Sequence, residues 1–374
     1  MDAQARTEEL LHAYVASGRE TGLQVAAWLD GALVVDAWAG TADPATGRAV
    51  DGDTLFQLYS CGKGLTATAV HLLADRGVLD YDAPVAAYWP EFGVHGKDRI
   101  TVRHALTHRA GIPRLPDDFT LGDLADWDRA CAVVADMTPV WEPGTRSGYH
   151  PVVFGWLLGE TVRRADGRRP DRFVREEITG PLGIDGSLDF GIPGAALPRV
   201  AHHAEAADAD THAVSARHAP ADTPLRTLSS AAQANHPLRL GACVPSSAVG
   251  TARGLARLYA ALARGGELDG VRLLSPDRIA TATATAVHGI DATLGNPMRR
   301  GLGYLLGRPG TPMGHARVFG HDGVGESIGF ADPAHRFSLA VAKNRLTDDW
   351  TPASTTYALA AAIREALGLP LPGA

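Results

Sequence analysis

Hydrophobic and polar positions follow two periods along this chain, and the order in which the periods alternate is informative. Residues 4–17 alternate at helical spacing and Gly18 offers a stop. Two β-rich runs follow, Leu23–Leu29 and Ala32–Ala39. The Asp30-Gly31 pair between them predicts a hairpin, because both central positions of the tight turn require positive φ. A helix is predicted from about Ser60 to Asp75, ended by Arg76-Gly77. Residues 80–245 carry mostly helical patterns and loops, among them 101–108, 122–137 and 151–165. A helix near 251–263 is closed by Gly265-Gly266. Val318–Phe319, Ser327–Phe330 and Phe337–Lys343 read as strands, with Asp332-Pro333-Ala334-His335 as the turn of a second hairpin. An alanine-rich helix over 353–367 completes the pattern.

A lone hairpin is marginal in water, so the two hairpin-bearing ends must come together into one sheet. The expected fold is therefore α+β: an antiparallel sheet flanked by N- and C-terminal helices, with a large all-helical insertion. The boundaries follow as a discontinuous sheet-and-helix domain, 1–79 plus 246–374, and a mainly helical domain, 80–245. Within the latter, residues 198–224 are rich in Ala, His, Asp and Thr and read as a long surface loop, a candidate lid.

Composition narrows the function more than the fold. The 374 residues carry 35 basic and 42 acidic groups, a formal charge of −7 that gives no general attraction for phosphate backbones or anionic lipid. Three cysteines, Cys61, Cys131 and Cys243, are too few and too scattered for a disulfide framework or a zinc cluster. No run approaches the length of a membrane helix, and the N-terminus lacks the basic start and apolar run of a secretory signal. The expectation is a cytoplasmic protein that engages neither nucleic acid nor membrane.

Three short motifs carry the candidate chemistry. Ser60-Cys61-Gly62-Lys63 opens a predicted helix, which places Ser60 and Lys63 side by side, one turn apart. The helix N-terminus favours negative charge developing on the serine oxygen, and a buried, less basic amine can take its proton. Alone, this pattern reads as a helix cap by Ser60 with a solvated lysine. Ser147-Gly148-Tyr149-His150-Pro151 follows the turn-rich Trp141-Glu142-Pro143-Gly144 and sets Tyr149 at the entry to a helix. A tyrosine needs a cationic neighbour to act as a base near neutral pH, and Lys63 is a candidate; alone, Tyr149 reads as a packed aromatic. Gly320-His321-Asp322-Gly323-Val324-Gly325 joins two strand-like runs, where glycines allow close approach of a ligand and a strand edge can donate an N–H to a substrate oxygen.

Together these motifs resemble the serine hydrolases related to class C β-lactamases, a family that includes penicillin-binding D-peptidases, esterases and acyltransferases. Further landmarks stand in the family order: Asp53-Thr54-Leu55-Phe56, Leu106-Thr107-His108-Arg109-Ala110-Gly111-Ile112-Pro113, Pro181-Leu182-Gly183-Ile184 and Thr251-Ala252-Arg253-Gly254-Leu255-Ala256. The resemblance implies that Ser60 is the nucleophile, that Lys63 and Tyr149 share the general-base and general-acid work, and that His321, Asp322 and Gly323 line the cleft. It also implies an oxyanion hole made of the Ser60 and Val324 backbone N–H groups, with no metal or organic cofactor. Tyr304 and Trp350, aromatics near the late strands, are candidates to line the pocket, with core or surface packing an equal reading.

Two departures refine the expectation. Lactam-hydrolysing relatives usually carry Tyr-x-Asn, whereas position 151 is Pro, and usually Lys-Thr-Gly, where this chain has His321-Asp322-Gly323. A largely neutral histidine beside an aspartate recognises a substrate carboxylate poorly. Both changes resemble the esterase and acyltransferase branches. The expected function is hydrolysis of a small ester or amide through an acyl-serine intermediate, with acyl transfer to a specialised small molecule as the alternative. β-Lactamase or D-peptidase activity and a non-catalytic binding protein of the same fold are further alternatives.

Other patterns read as bland. Gly325-Glu326-Ser327-Ile328-Gly329 matches a nucleophile elbow, but that motif needs a strand–turn–helix and here a strand and tight turn follow. His202, His203, His212 and His218, with Asp208 and Asp210, lack metal-site spacing. Arg163, Arg164, Arg168, Arg169, Arg172 and Arg175 are interleaved with Asp166, Asp171, Glu176 and Glu177, a solvated charged surface. Cys61 is expected to face the packing side of its helix.

Overall fold

The first helix, α1 (Ala3–Ala16), starts at Asp2, whose side chain accepts the Ala5 N–H at 2.8 Å. Strands β1 (Gly22–Leu29) and β2 (Ala32–Asp43) then form the hairpin. Its turn residues Asp30 and Gly31 have φ of 53° and 88°, the left-handed pair that a two-residue loop demands. β2 runs on to a short partner, β3 (Arg48–Ala49). These coordinates come from a computed structural model that describes residues 2–205 and 231–372.

The following chain supplies β4 (Phe56–Tyr59), α2 (Gly62–Asp75), α3 (Trp127–Asp136), α4 (Val153–Asp166) and the two-residue β5 (Leu188–Asp189). Beyond residue 230 come β6 (Ala248–Gly250), α5 (Ala252–Ala263), β7 (Val287–Ile290), β8 (Pro297–Arg300) and β9 (Leu305–Leu306). The chain closes with β10 (Phe319–Gly323), β11 (Ser327–Asp332), β12 (Phe337–Lys343) and α6 (Thr355–Ala366).

Nine strands make one antiparallel sheet in the order β7-β8-β9-β10-β11-β12-β1-β2-β3. The junction of the two chain ends is β1 against β12, with Leu23 opposite Lys343 and Val25 opposite Val341. β1 is buried on both faces, so its two sets of alternate residues enter different cores. Leu23, Val25 and Ala27 pack with Leu11, Leu359 and Ile363 from α1 and α6. Ala26 and Trp28 belong to the larger core that holds Leu255 of α5 and Leu65 of α2.

That larger core explains why α2 is apolar nearly all round. Every residue from Gly62 to Ala74 is buried, Lys63 included, because the helix lies between the sheet side and α4. Two expectations are corrected at this level, and one hairpin is new. The pattern over 122–137 predicts one helix, but the chain breaks at Asp126, whose side chain caps Arg129 N–H at 3.0 Å and so starts α3 afresh. The inserted region is not all-helical: β5 pairs with β6, which also pairs with β4, and Ala204–Glu205 pairs in parallel with Arg345–Leu346. Two-residue strands show no alternation in sequence. The hairpin of β7 and β8 also has no sequence counterpart, since Gly289 and Pro297 interrupt its β pattern.

Candidate active site

β4 delivers the chain to Ser60 through Tyr59, which has a φ of 47°, a left-handed conformation that costs a non-glycine residue roughly 1–2 kcal/mol. Ser60 does not cap the helix. The residue at the start of α2 is Cys61, with no side-chain cap, and Ser60 lines a cavity of about 300 Å³. Gly62 lets the first turn of α2 press against β6: a Cβ there would come 2.3 Å from the Ser247 carbonyl oxygen. The Cys61 thiol is buried on the packing side, and burial pushes its pKa well up, so it stays protonated.

One turn later, Lys63 is wholly enclosed. Its Nζ lies 2.8 Å from Ser60 Oγ and donates to the carbonyls of Pro151 at 2.6 Å and Ser246 at 3.3 Å. The two carbonyls use two N–H donors, and no carboxylate is among these three partners. A neutral amine then has its lone pair for the serine hydroxyl. Burial holds the Lys63 amine well below the ordinary lysine range, with Arg239 and Arg300 pushing the same way and Asp322 and Cys61 opposing. Pro151 lacks the amide of the usual motif but contributes this backbone acceptor instead.

Tyr149 lies beside the amine, with Lys63 Nζ 4.8 Å from its ring centroid. Burial pushes the pKa of its hydroxyl well above the ordinary tyrosine value, against the opposing influence of the Ser60 side chain and the Arg300 charge. The sequence offers Lys63 both as a less basic amine and as a cationic partner for Tyr149; here both groups are driven toward neutrality. His108 and His321 flank the ring at 4.9 and 6.2 Å between centroids, and burial holds both imidazoles well below the usual histidine pKa. His108 accepts the His150 N–H at Nδ1, 3.1 Å; the sequence marks it only as part of a family landmark, not as a site neighbour.

The late strand β10 runs beside Ser60. A Cβ on Gly323 would lie 2.2 Å from the Leu58 carbonyl oxygen and 3.2 Å from Ser60 N, so only glycine permits this approach. Asp322, Gly323 and Val324 line the cavity, as does Trp350, whose Nε1 donates to Asp348 at 2.9 Å. Burial raises the Asp322 carboxyl to about 6 against the pull of Arg308 and Lys63. His321 lies beneath the wall, its Nδ1 2.7 Å from the Asp322 carbonyl oxygen. The turn after Val324 passes through Gly325 and Glu326 at positive φ, and the Glu326 carboxylate is fastened by Asp349 N–H at 2.9 Å and Lys343 at 3.4 Å.

Tyr304 does not line the cavity. It is buried, its hydroxyl is 2.8 Å from that of Thr68, and its ring packs on His71 and Phe319, because β9 turns it toward α2. Ser327 is a buried residue of β11 with no helix after it. Of the histidine-rich stretch, His203 is buried and His202 exposed, while His212, His218, Asp208 and Asp210 lie outside the described residues, as does most of the candidate lid. No cluster of three metal-ligating side chains exists among the described residues. The arginine-rich segment is laced with ion pairs, Arg168 to Asp166 at 2.5 Å and Arg163 to Glu160 at 2.6 Å among them. No helix among the described residues is long and apolar enough to cross a membrane.

A serine hydroxyl against a buried amine, beside an inner strand of an antiparallel sheet, is the arrangement of a serine nucleophile with a lysine base. Residues 7–363 match the Beta-lactamase family. The chain belongs to that family and is a serine hydrolase. It is 38% identical over 348 residues to "Esterase/beta-lactamase LipL" of Mycobacterium tuberculosis (strain ATCC 25618 / H37Rv), covering 87% of this chain and 77% of that protein. Among solved structures, a family VIII carboxylesterase superposes with a TM-score of 0.87 at 34% identity, covering 97% of both chains. A penicillin-binding protein homologue from Caulobacter crescentus superposes with a TM-score of 0.86 at 36% identity and 98% coverage of both.

Proposed function

We propose that the chain is a carboxylesterase that cleaves small neutral esters through an acyl-Ser60 intermediate. The observation that carries this reading is the Lys63 amine, enclosed, held by two carbonyls and 2.8 Å from Ser60 Oγ. Lys63 Nζ takes the Ser60 proton as Oγ forms its bond to the ester carbonyl carbon. The oxyanion accepts hydrogen bonds from the backbone N–H groups of Ser60 and Val324, which need no reorganisation as charge develops. Tyr149, a neutral phenol, passes a proton to the departing alkoxide as the C–O bond breaks, and the proton on Lys63 replaces it. Water then attacks the acyl carbon by the reverse path, releasing acid and regenerating Ser60.

The choice of a neutral ester rests on the cavity wall. Where lactam-hydrolysing relatives usually place a lysine, this chain has an imidazole held neutral by burial and an aspartate. Leu294, Met298, Leu306, Met313 and Ile328 are the apolar part of the wall, which also carries Arg239, Arg299 and Arg308 against Asp322 and Asp348. The names of the esterase relatives agree with this reading.

The experiment is intact-mass spectrometry after exposure to a fluorophosphonate and, separately, p-nitrophenyl acetate, with peptide mapping of the adduct. The expected result is one adduct on the peptide containing Ser60, absent in Lys63→Ala, with acid released without an added acceptor. No adduct on Ser60 from either reagent overturns the proposal.

A further inference from the structure

The segment that carries Tyr149 belongs to the helical side, yet it is tied to the β7–β8 hairpin at the far edge of the sheet. Tyr149 N–H donates to both carboxylate oxygens of Asp291, 3.0 Å to each. Asp291 Oδ1 also accepts the N–H groups of Thr293 and Leu294 at 2.8 Å, and Oδ2 accepts Arg300 Nη2 at 2.6 Å. Arg300 sends Nη1 to Ser147 Oγ at 3.2 Å, and Ser147 in turn donates to the Thr107 carbonyl at 2.8 Å. Ala292 N–H closes the stitch on the Ser147 carbonyl at 2.9 Å. The guanidinium carbon sits 5.7 Å from the Tyr149 ring centroid, and both charged side chains are at most 2% exposed.

An enclosed ion pair is weak evidence for stability, since desolvating two charges offsets most of their attraction. Its placement is the informative part. One end holds the backbone of Tyr149, the other faces the ring of the same residue.

We propose that Asp291 and Arg300 are positioning residues for Tyr149, fixing its hydroxyl against Ser60 from behind the cavity. The proposal rests on the reading that Tyr149 moves a proton in the reaction. The hairpin that carries the pair also supplies Leu294 and Met298 to the cavity wall, so substrate contact and Tyr149 placement share one rigid element.

The charges bear on the reacting groups as well. Around Tyr149 stand Lys63, His108, His321, Asp322, Asp291 and Arg300. Arg300 lowers the proton affinity of both Tyr149 and Lys63, while Asp291 raises that of Tyr149. Removing either charge therefore displaces the pH profile, in opposite directions.

The test uses the full chain with Asp291→Asn, Arg300→Gln, Arg300→Lys and Tyr149→Phe, measuring single-turnover acylation by p-nitrophenyl acetate against pH alongside steady-state kcat and KM. Asp291→Asn and Arg300→Gln are expected to lower kcat by about 100-fold, the cost of a misplaced catalytic group, with KM changed less than about threefold. The profile is expected to move to lower pH in Asp291→Asn and to higher pH in Arg300→Gln. A residue that only supports folding has no reason to produce that divergence. Arg300→Lys keeps the charge and is expected to restore the profile while recovering part of the rate, a contrast with Arg300→Gln that stands even if Asp291→Asn does not fold. Rates within threefold of the parent, or profiles displaced the same way, overturn the proposal. Unchanged acylation in Tyr149→Phe instead removes Tyr149 from the reaction, and the positioning claim falls with it.

Discussion

The two ends of the cavity are built on opposite principles. Around Ser60, the polar groups are held by partners from other elements: Lys63 by two carbonyls, and Tyr149 by Asp291 at its backbone. Elsewhere in the lining, among the Arg239, Arg299 and Arg308 side chains, Met298, Met313, Leu306 and Ile328 offer only apolar surface, and two of the four are unbranched thioethers able to repack. A reacting atom must meet its catalytic groups within a fraction of an ångström, whereas an apolar substituent needs only to leave water. Saturated hydrogen bonding suits the first task and adaptable packing the second. Changes at the two ends should therefore have different signatures, large in kcat at one and modest in KM at the other.

The largest expected effect is Ser60→Ala, a loss of turnover on the order of 10⁴ or more, as in other serine enzymes stripped of the nucleophile. Its melting temperature should match the parent, because Ser60 caps no helix. Full activity in that variant would break the assignment and return attention to Ser327. Next comes Tyr149→Phe, expected to slow acylation by roughly 10²–10³-fold while leaving KM nearly unchanged, the range of a lost general acid. Stopped-flow release of p-nitrophenol measures both quantities.

Asp322→Asn tests how far the polar end depends on its electrostatics. The Asp322 carboxylate favours the protonated form of Lys63. Removing it makes the amine less basic, so the acidic limb of kcat/KM should move to lower pH. A limb that stays put or rises means that the carboxylate does not act on Lys63. The smallest effects belong to the apolar wall: Met298→Ala and Met313→Ala should alter KM by roughly threefold to tenfold and shift the preferred acyl chain length, with kcat for p-nitrophenyl acetate retained. A loss of kcat as large as that of Tyr149→Phe would erase the distinction between the two ends.

Much of the site was legible because its motifs are local. Ser60 and Lys63 are one helical turn apart, so any helix through residues 60–63 brings them together. The Asp30-Gly31 turn and the Asp332–His335 turn announce their hairpins by residue type, and β1 and β12 follow from plain β-rich runs. Proximity in sequence and backbone preference are physical constraints that act before any tertiary contact forms. Tyr149 and Val324 were legible in another way, through their resemblance to a known pattern of spacings.

What the tertiary structure decided is the state of those groups. Whether Lys63 is a solvated cation or an enclosed amine depends on α4, β6 and the Pro151 and Ser246 carbonyls, which close over it from more than eighty residues away. Tyr304 carries no local mark of facing α2 rather than the cavity; that follows from how β9 sits in the sheet. Asp291 and Arg300 were invisible for the same reason, since a carboxylate and a guanidinium in a loop and a short strand read as surface until the Tyr149 segment is laid across them. Desolvation and long-range hydrogen bonding belong to the assembled molecule. Local sequence determined which chemical groups were available, and burial determined which of them could react.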